Sequence, residues 1–149
     1  MPESGEARDE VWWDAFRGII FAHAKVYHAV EQELLAHSGI PLTFIDVLGR
    51  LHDAPDSRLR MQELQQASLF THGGMTRLVD RIESEGFVHR ESVPGDRRGV
   101  YVVLTPAGKA IYEAAIVRHQ ADVEREFSGR LTPDQHRAVA EALWSFWHE

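Results

Sequence analysis

Two clusters of side chains in this chain have the types and spacing to act on a polyanion. Pro94-Gly95-Asp96-Arg97-Arg98-Gly99 has turn chemistry and places two adjacent guanidiniums at its tip, where no core position exists for them. A guanidinium held there can pair with phosphate or enter a groove of strong negative potential. Asp96 beside them can hold one guanidinium through a charge-assisted pair and so pre-orient the tip. The second cluster is Thr71, His72, Gly73, Thr76 and Arg77. Other chemistries find less support. The nine histidines, His23 to His148, invite a metal, yet none lies three or four residues from another and there is no His-Glu-X-X-His. Only residues brought together by the fold, such as His37 and His119, keep a metal-responsive reading open. The absence of cysteine excludes disulfides, Cys-zinc sites and thiol redox sensing. No phosphate loop, nucleophile elbow or Gly-rich dinucleotide turn is present, so neither an enzyme nor a cofactor is implied.

The elements that must position these clusters are legible in the apolar spacing. Met61, Leu64 and Ala67 fall on one helical face; Met75, Leu78, Val79 and Ile82 fall on another. Ser68-Leu69-Phe70-Thr71 between them predicts a tight turn, with Thr71 as N-cap of a second helix reaching about Glu85. That is a helix-turn-helix. Gly86 stands where a helix ends in a left-handed residue. Phe87–Val93 and Val100–Thr105 read as strands around the arginine-tipped loop, and Arg58–Met61 as a short strand backing them. A helix-turn-helix followed by such a hairpin is a winged helix, with its second helix expected in the major groove of DNA. Gly73 and Gly74 cost that helix roughly 1 kcal/mol each against Ala but let its backbone approach phosphate closely. His72, Thr76 and Arg77 are then base or phosphate candidates, with a salt bridge to Asp80 the alternative for Arg77. Arg58, Arg60, Arg90 and Lys109 are phosphate candidates or plain solvated surface.

Around this centre the spacing predicts a long amphipathic helix from Asp9 to about Ala36 and a second from Thr43 to His52. Thr105-Pro106 opens another that runs to about Phe127, and Thr132-Pro133-Asp134-Gln135 opens the last with a capping box. A single winged helix does not need such flanks, so they are expected to form a dimer interface, with Trp12, Trp13, Trp144 and Trp147 supplying apolar area. The alternative is intrachain core. The net charge of −7 is unevenly spread: Arg58–Lys109 holds eight basic and six acidic residues, a surplus of two, which leaves −9 for the rest. The basic part would orient the molecule on a polyanion. The polar, acidic start MPESGEARDE lacks the build of a signal peptide, and no apolar run approaches the roughly 20 residues of a membrane helix, so a cytoplasmic protein is expected.

Thr76-Arg77-Leu78-Val79-Asp80-Arg81-Ile82-Glu83 with Gly86-Phe87-Val88, then Asp96-Arg97-Arg98-Gly99, then Val103-Leu104-Thr105-Pro106-Ala107-Gly108, resemble in order and spacing the MarR family of bacterial transcription regulators. The turn departs from the family, having Ser68-Leu69-Phe70 where Gly is frequent, as does Gly73-Gly74 where Ser or Thr is common. The resemblance implies a mainly α fold with a small β wing: one domain over 1–149, with dimerisation helices at about 9–37 and 106–148 and a winged helix-turn-helix at about 43–105. It implies a homodimeric DNA-binding regulator, most often a repressor that binds a palindromic operator and releases it on meeting a ligand. It also implies Arg98 as the minor-groove arginine. A subgroup responding to urate-like anions resembles this chain at Trp12 or Trp13, Asp46 and Arg77, with His89 at or beside the fourth position and Arg90 next to it. The expected partners are therefore double-stranded DNA, a second copy of the chain, and a small anionic or aromatic effector. A winged helix used only for protein contacts is the remaining alternative, and it would not require arginines at the tip.

Overall fold

The computed structural model describes residues 9–66 and 72–146. Its elements are α1 (Asp9–Ser38), α2 (Leu42–Asp53), β1 (Arg58–Arg60), α3 (Met61–Gln66), α4 (His72–Ser84), β2 (Val88–Val93), β3 (Asp96–Leu104), α5 (Pro106–Glu126) and α6 (Pro133–Leu143). The expected turn at Ser68–Thr71, the Thr71 cap, Ala67 and Trp147 lie outside the described residues. The chain divides into two units, Leu34–His119 and the flanks up to Glu33 and from Gln120.

Within Leu34–His119 the helical stripes meet in one core. Phe44, Val47, Leu48 and Leu51 from α2, Leu64 from α3, and Met75, Leu78, Val79 and Ile82 from α4 are buried, together with Val88, Val102 and Leu104 from the sheet. The three strands pair antiparallel in the order β1-β3-β2, with Arg60 opposite Tyr101 and Arg90 opposite Val102. The expected six-residue loop is shorter than the sequence suggested. Only Pro94 and Gly95 turn, and β3 begins at Asp96 instead of Val100. Gly95 at φ +78° allows the tight reversal, and a shift in register at Ser92/Val93 absorbs the unequal strand lengths.

One junction fixes where α4, the sheet and α5 meet. α4 ends in a Schellman turn: Gly86 N donates to Glu83 O at 2.9 Å and Phe87 N to Ile82 O at 3.2 Å, with Gly86 at φ +79°. Thr105 then joins both sides, donating through its N to Phe87 O (3.0 Å) and through its hydroxyl to Gly86 O (2.7 Å). The same hydroxyl accepts from Gly108 N at 3.0 Å, making Thr105 the N-cap of α5. Gly108 packs so tightly that a Cβ there would lie 2.0 Å from the Phe87 carbonyl oxygen. Gly49 likewise lets α2 approach α5, its missing Cβ facing the Tyr112 ring at 3.1 Å. Beside that contact His52 bonds Asp53 Oδ1 (3.0 Å) and Glu113 Oε1 (3.3 Å).

The flanking unit contrasts sharply. Among its described residues only Val30 and Asp122 are buried. Trp12, Phe16, Ile20 and Phe21 on α1 are each about half or more exposed, as are Trp144 and Phe146 after α6. α6 starts with the expected capping box, Gln135 N to the Thr132 hydroxyl and Thr132 N to the Gln135 side chain.

Two outcomes follow from these contacts. Gly108→Ala should lower stability by about 2 kcal/mol or more, since the neighbour it meets is backbone and cannot rotate away; a thermal melt checks it. The side-chain bonds from Asp53 and then Glu113 raise the His52 pKa above its ordinary value. A raised folded pKa means the pair stabilises fully below about pH 6.5 and loses that effect as pH climbs through the folded value. Denaturant midpoints of the native chain should therefore fall slightly from pH 6 to 8, on the order of 0.5 kcal/mol for so exposed a pair, and His52→Ala should remove that slope.

Candidate nucleic-acid interface

Burying Met75, Leu78, Val79 and Ile82 turns Thr76, Arg77, Asp80 and Arg81 of α4 outward. His72 and Gly73 open this helix, so its positive dipole end lies beside them. Arg77 is exposed and makes no ion pair among the described residues; Asp80, the alternative partner, is taken by Arg90 at 2.7 Å.

Asp96 orders the wing by a different route from the one expected. Its Oδ1 accepts from the backbone N–H of both Arg98 and Gly99 at 3.1 Å, and its Oδ2 accepts from Arg60 Nη1 at 3.0 Å. The guanidinium it holds is thus that of Arg60, while the wing arginines are positioned through their backbone. A short Asp side chain reaches amides two and three residues ahead more readily than a side chain pointing into solvent. Gly99 leaves room for the fold-back, because a Cβ there would lie 2.6 Å from Asp96 Oδ2. Arg97 and Arg98 remain exposed, without an ion pair among the described residues.

Arg58, Arg60, Arg90 and Lys109 are occupied, and Arg81, exposed and without an ion pair among the described residues, has its guanidinium over the Phe44 ring at 5.4 Å. Arg58 stacks over Tyr101 with its guanidinium 4.7 Å from the ring centroid and lies 3.5 Å from Asp56. Arg60 pairs with Asp96, Arg90 with Asp80 and Glu83, and Lys109 lies 3.8 Å from Glu113. The structure therefore separates exposed, unpaired arginines (77, 97 and 98) from bases set within carboxylates or over a ring, a sorting that charge counting could not make.

A family model described as MarR family matches residues 38–99. The multiple antibiotic resistance protein MarR of Salmonella typhimurium is 38% identical over 73 residues, which are 49% of this chain and about half (51%) of that protein. The transcriptional repressor YetL of Bacillus subtilis is 28% identical over 125 residues, 77% of this chain and 75% of YetL. A MarR family transcriptional regulator of Streptomyces coelicolor, solved in complex with DNA, superposes with a TM-score of 0.85 at 28% identity, over 98% of this chain and 89% of that one. The family model, the relatives and the DNA-bound structure together support a MarR-family winged-helix transcriptional regulator. Its winged helix-turn-helix is that family's fold, and its relatives are regulators and not enzymes.

Of the four residues that the MarR resemblance suggested for an effector, Asp46 and His89 have charged partners nearby. Asp46 bonds Arg50 one turn along α2, at 3.1 Å. His89 bonds Glu91 at 2.8 Å along β2. Arg77 stands on the exposed face of α4, and Trp13 belongs to the flanking unit. A groove of about 490 Å³ lies elsewhere, lined by Arg60, Gln65, Thr76, Arg90, Asp96 and Arg98. Sequence reading missed Gln65 as a lining residue and Glu83 as a partner of Arg90, since a helix-to-strand pairing over seven positions leaves no local spacing signal. Among the described residues no three His, Asp or Glu side chains are grouped to hold a metal ion.

Asp96→Ala should speed amide hydrogen exchange at Arg98 and Gly99 by about tenfold, while global stability moves by only about 1 kcal/mol, the worth of typical hydrogen bonds. Exchange measured by NMR on the full chain checks it.

Proposed function

We propose that this chain is a homodimeric, ligand-responsive repressor that binds a palindromic operator in double-stranded DNA. The observation that carries the reading is the set of unpaired, exposed arginines on one winged helix: Arg77 on α4 and Arg97 and Arg98 at the start of β3. With α4 in the major groove, Thr76 and Arg77 reach base edges or phosphate, together with His72 and Gly73 at the helix start. Arg98 reaches the minor groove, with Asp96 fixing its backbone. Repression and DNA binding accord with the repressor name of YetL and with the DNA-bound Streptomyces relative.

The dimer reading rests on the flanking unit. Trp12 is 61% exposed and Phe21 68%, on a helix with an apolar residue at nearly every turn. Such a surface is too apolar to face water as an isolated monomer, and a second copy of the same surface covers it with two-fold symmetry. That symmetry pairs two α4 helices with two half-sites. The groove beside Thr76, Arg60 and Arg98 supports the effector part: its size suits a small aromatic anion, and Arg98, without an ion pair among the described residues, would recognise a carboxylate.

Filter binding at two salt concentrations tests the whole. Affinity for duplex DNA should fall steeply with salt, and no salt-dependent binding to any duplex would reject the reading. Arg98→Ala should fold normally and weaken specific and non-specific binding alike, with the salt slope shallower by about one. Asp96→Ala should weaken binding too, although it removes a negative charge; tighter binding at every salt concentration would reject the role given to the wing's geometry. Sedimentation should show a dimer at micromolar concentration, and Trp12→Glu should shift it towards monomer and weaken operator binding together.

A further inference from the structure

We infer that Arg90 is a positioning residue, a brace between β2 and α4 that sets how the recognition helix and the wing face DNA together. The inference rests on the DNA-binding reading above and gives Arg90 a different role from a phosphate ligand. Three bonds define the brace. Arg90 N donates to Glu83 Oε1 at 3.0 Å, its Nη1 donates to Glu83 Oε2, and its Nη2 donates to Asp80 Oδ1 at 2.7 Å. One residue of the strand thus engages two carboxylates a helical turn apart, and Glu83 is held by both its oxygens. The Arg90 side chain is only 26% exposed.

The need for a brace comes from the connection it spans. Between the end of α4 and the start of β2 the chain reverses through the Schellman turn at Gly86, at φ +79°, which fixes the corner and leaves the strand beyond it to be tied to the helix face by side chains. Arg90 lies beyond that turn and ties back across it. The brace also accounts for acidic residues on a helix meant for a polyanion. Asp80 falls four residues after Thr76 and three after Arg77, on the same exposed face. Unpaired, its carboxylate would repel phosphate; paired with Arg90, it is neutralised and gives the wing strand an anchor.

The two roles of Arg90 predict opposite signs. A phosphate ligand weakened by nearby carboxylates gains when they are neutralised; a brace loses. The test uses the full chain, a duplex selected by the native protein from a random-sequence pool, and a scrambled duplex of equal length, each titrated across salt. Glu83→Gln, Asp80→Asn and Arg90→Met should each weaken the selected duplex by about tenfold, comparable to one poorly met base pair. The scrambled duplex should change by less than about threefold and the salt slope should stay as it is, because no phosphate contact is lost. The double variant R90M/E83Q should bind no worse than R90M alone, since both remove one interaction. Asp80→Asn, altering a carboxylate that is 58% exposed, keeps the test open should Arg90→Met fold poorly. Tighter binding of both duplexes by Glu83→Gln and Asp80→Asn, with the slope of Arg90→Met shallower by about one, would make Arg90 a phosphate ligand and overturn the inference. An equal loss on both duplexes at unchanged slope would overturn it as well, as a general effect on folding. No salt-dependent binding by the native chain would instead reject the DNA-binding reading beneath it.

Discussion

The carbonyl group of Phe87 is the point at which three elements become one body. It accepts from Thr105 N, and it sits so close to α5 that only glycine fits at position 108. Thr105 spends its hydroxyl twice, donating to Gly86 O and accepting from Gly108 N, so the cap of α5 and the end of α4 share one side chain. Backbone contacts of this kind do not re-pack as side chains do. The direction of α4, the start of β2 and the start of α5 are therefore set together, and every surface residue of the winged helix takes its position from them.

Upon that frame, acidic residues act as organisers of basic ones. Asp96 takes the amides of Arg98 and Gly99 and the guanidinium of Arg60; Asp80 and Glu83 take Arg90. Each such pair removes a cation from the surface field and stiffens the loop or strand that bears it. What remains, Arg77, Arg97 and Arg98, is a small set of free charges on rigid backbone. A protein of net charge −7 can present a positive face in this way, because a polyanion responds to the local field within about a Debye length and not to the sum over the chain.

The flanking helices obey a different constraint. Nothing described within their own unit covers the aromatic residues of α1, whereas the stripes of α2 and α4 are fully used by the core of Leu34–His119. The same chain therefore contains a unit with a buried core and a flanking unit whose described aromatic residues stay exposed.

Sequence alone determined the helices, the Thr105 and Thr132 caps of α5 and α6, and the winged topology. Apolar spacing of three and four along α2 and α4, Gly86 after α4, and the Thr132/Gln135 box each act within one or two turns, so neighbouring letters suffice to read them. The arginine pair at 97 and 98 was legible for the same reason, since turn residues surround it. Tertiary structure alone decided which charges are free. Arg60 meets Asp96 from 36 positions away and Arg90 reaches back 7 and 10 positions to α4, distances over which no local pattern operates. It decided the length of the wing turn too, because Val93 pairs with Asp96 across the sheet and leaves only Pro94 and Gly95 to turn. It also showed the partners of two residues that resemblance had grouped: Asp46 pairs with Arg50 and His89 with Glu91, each within four residues along its own element.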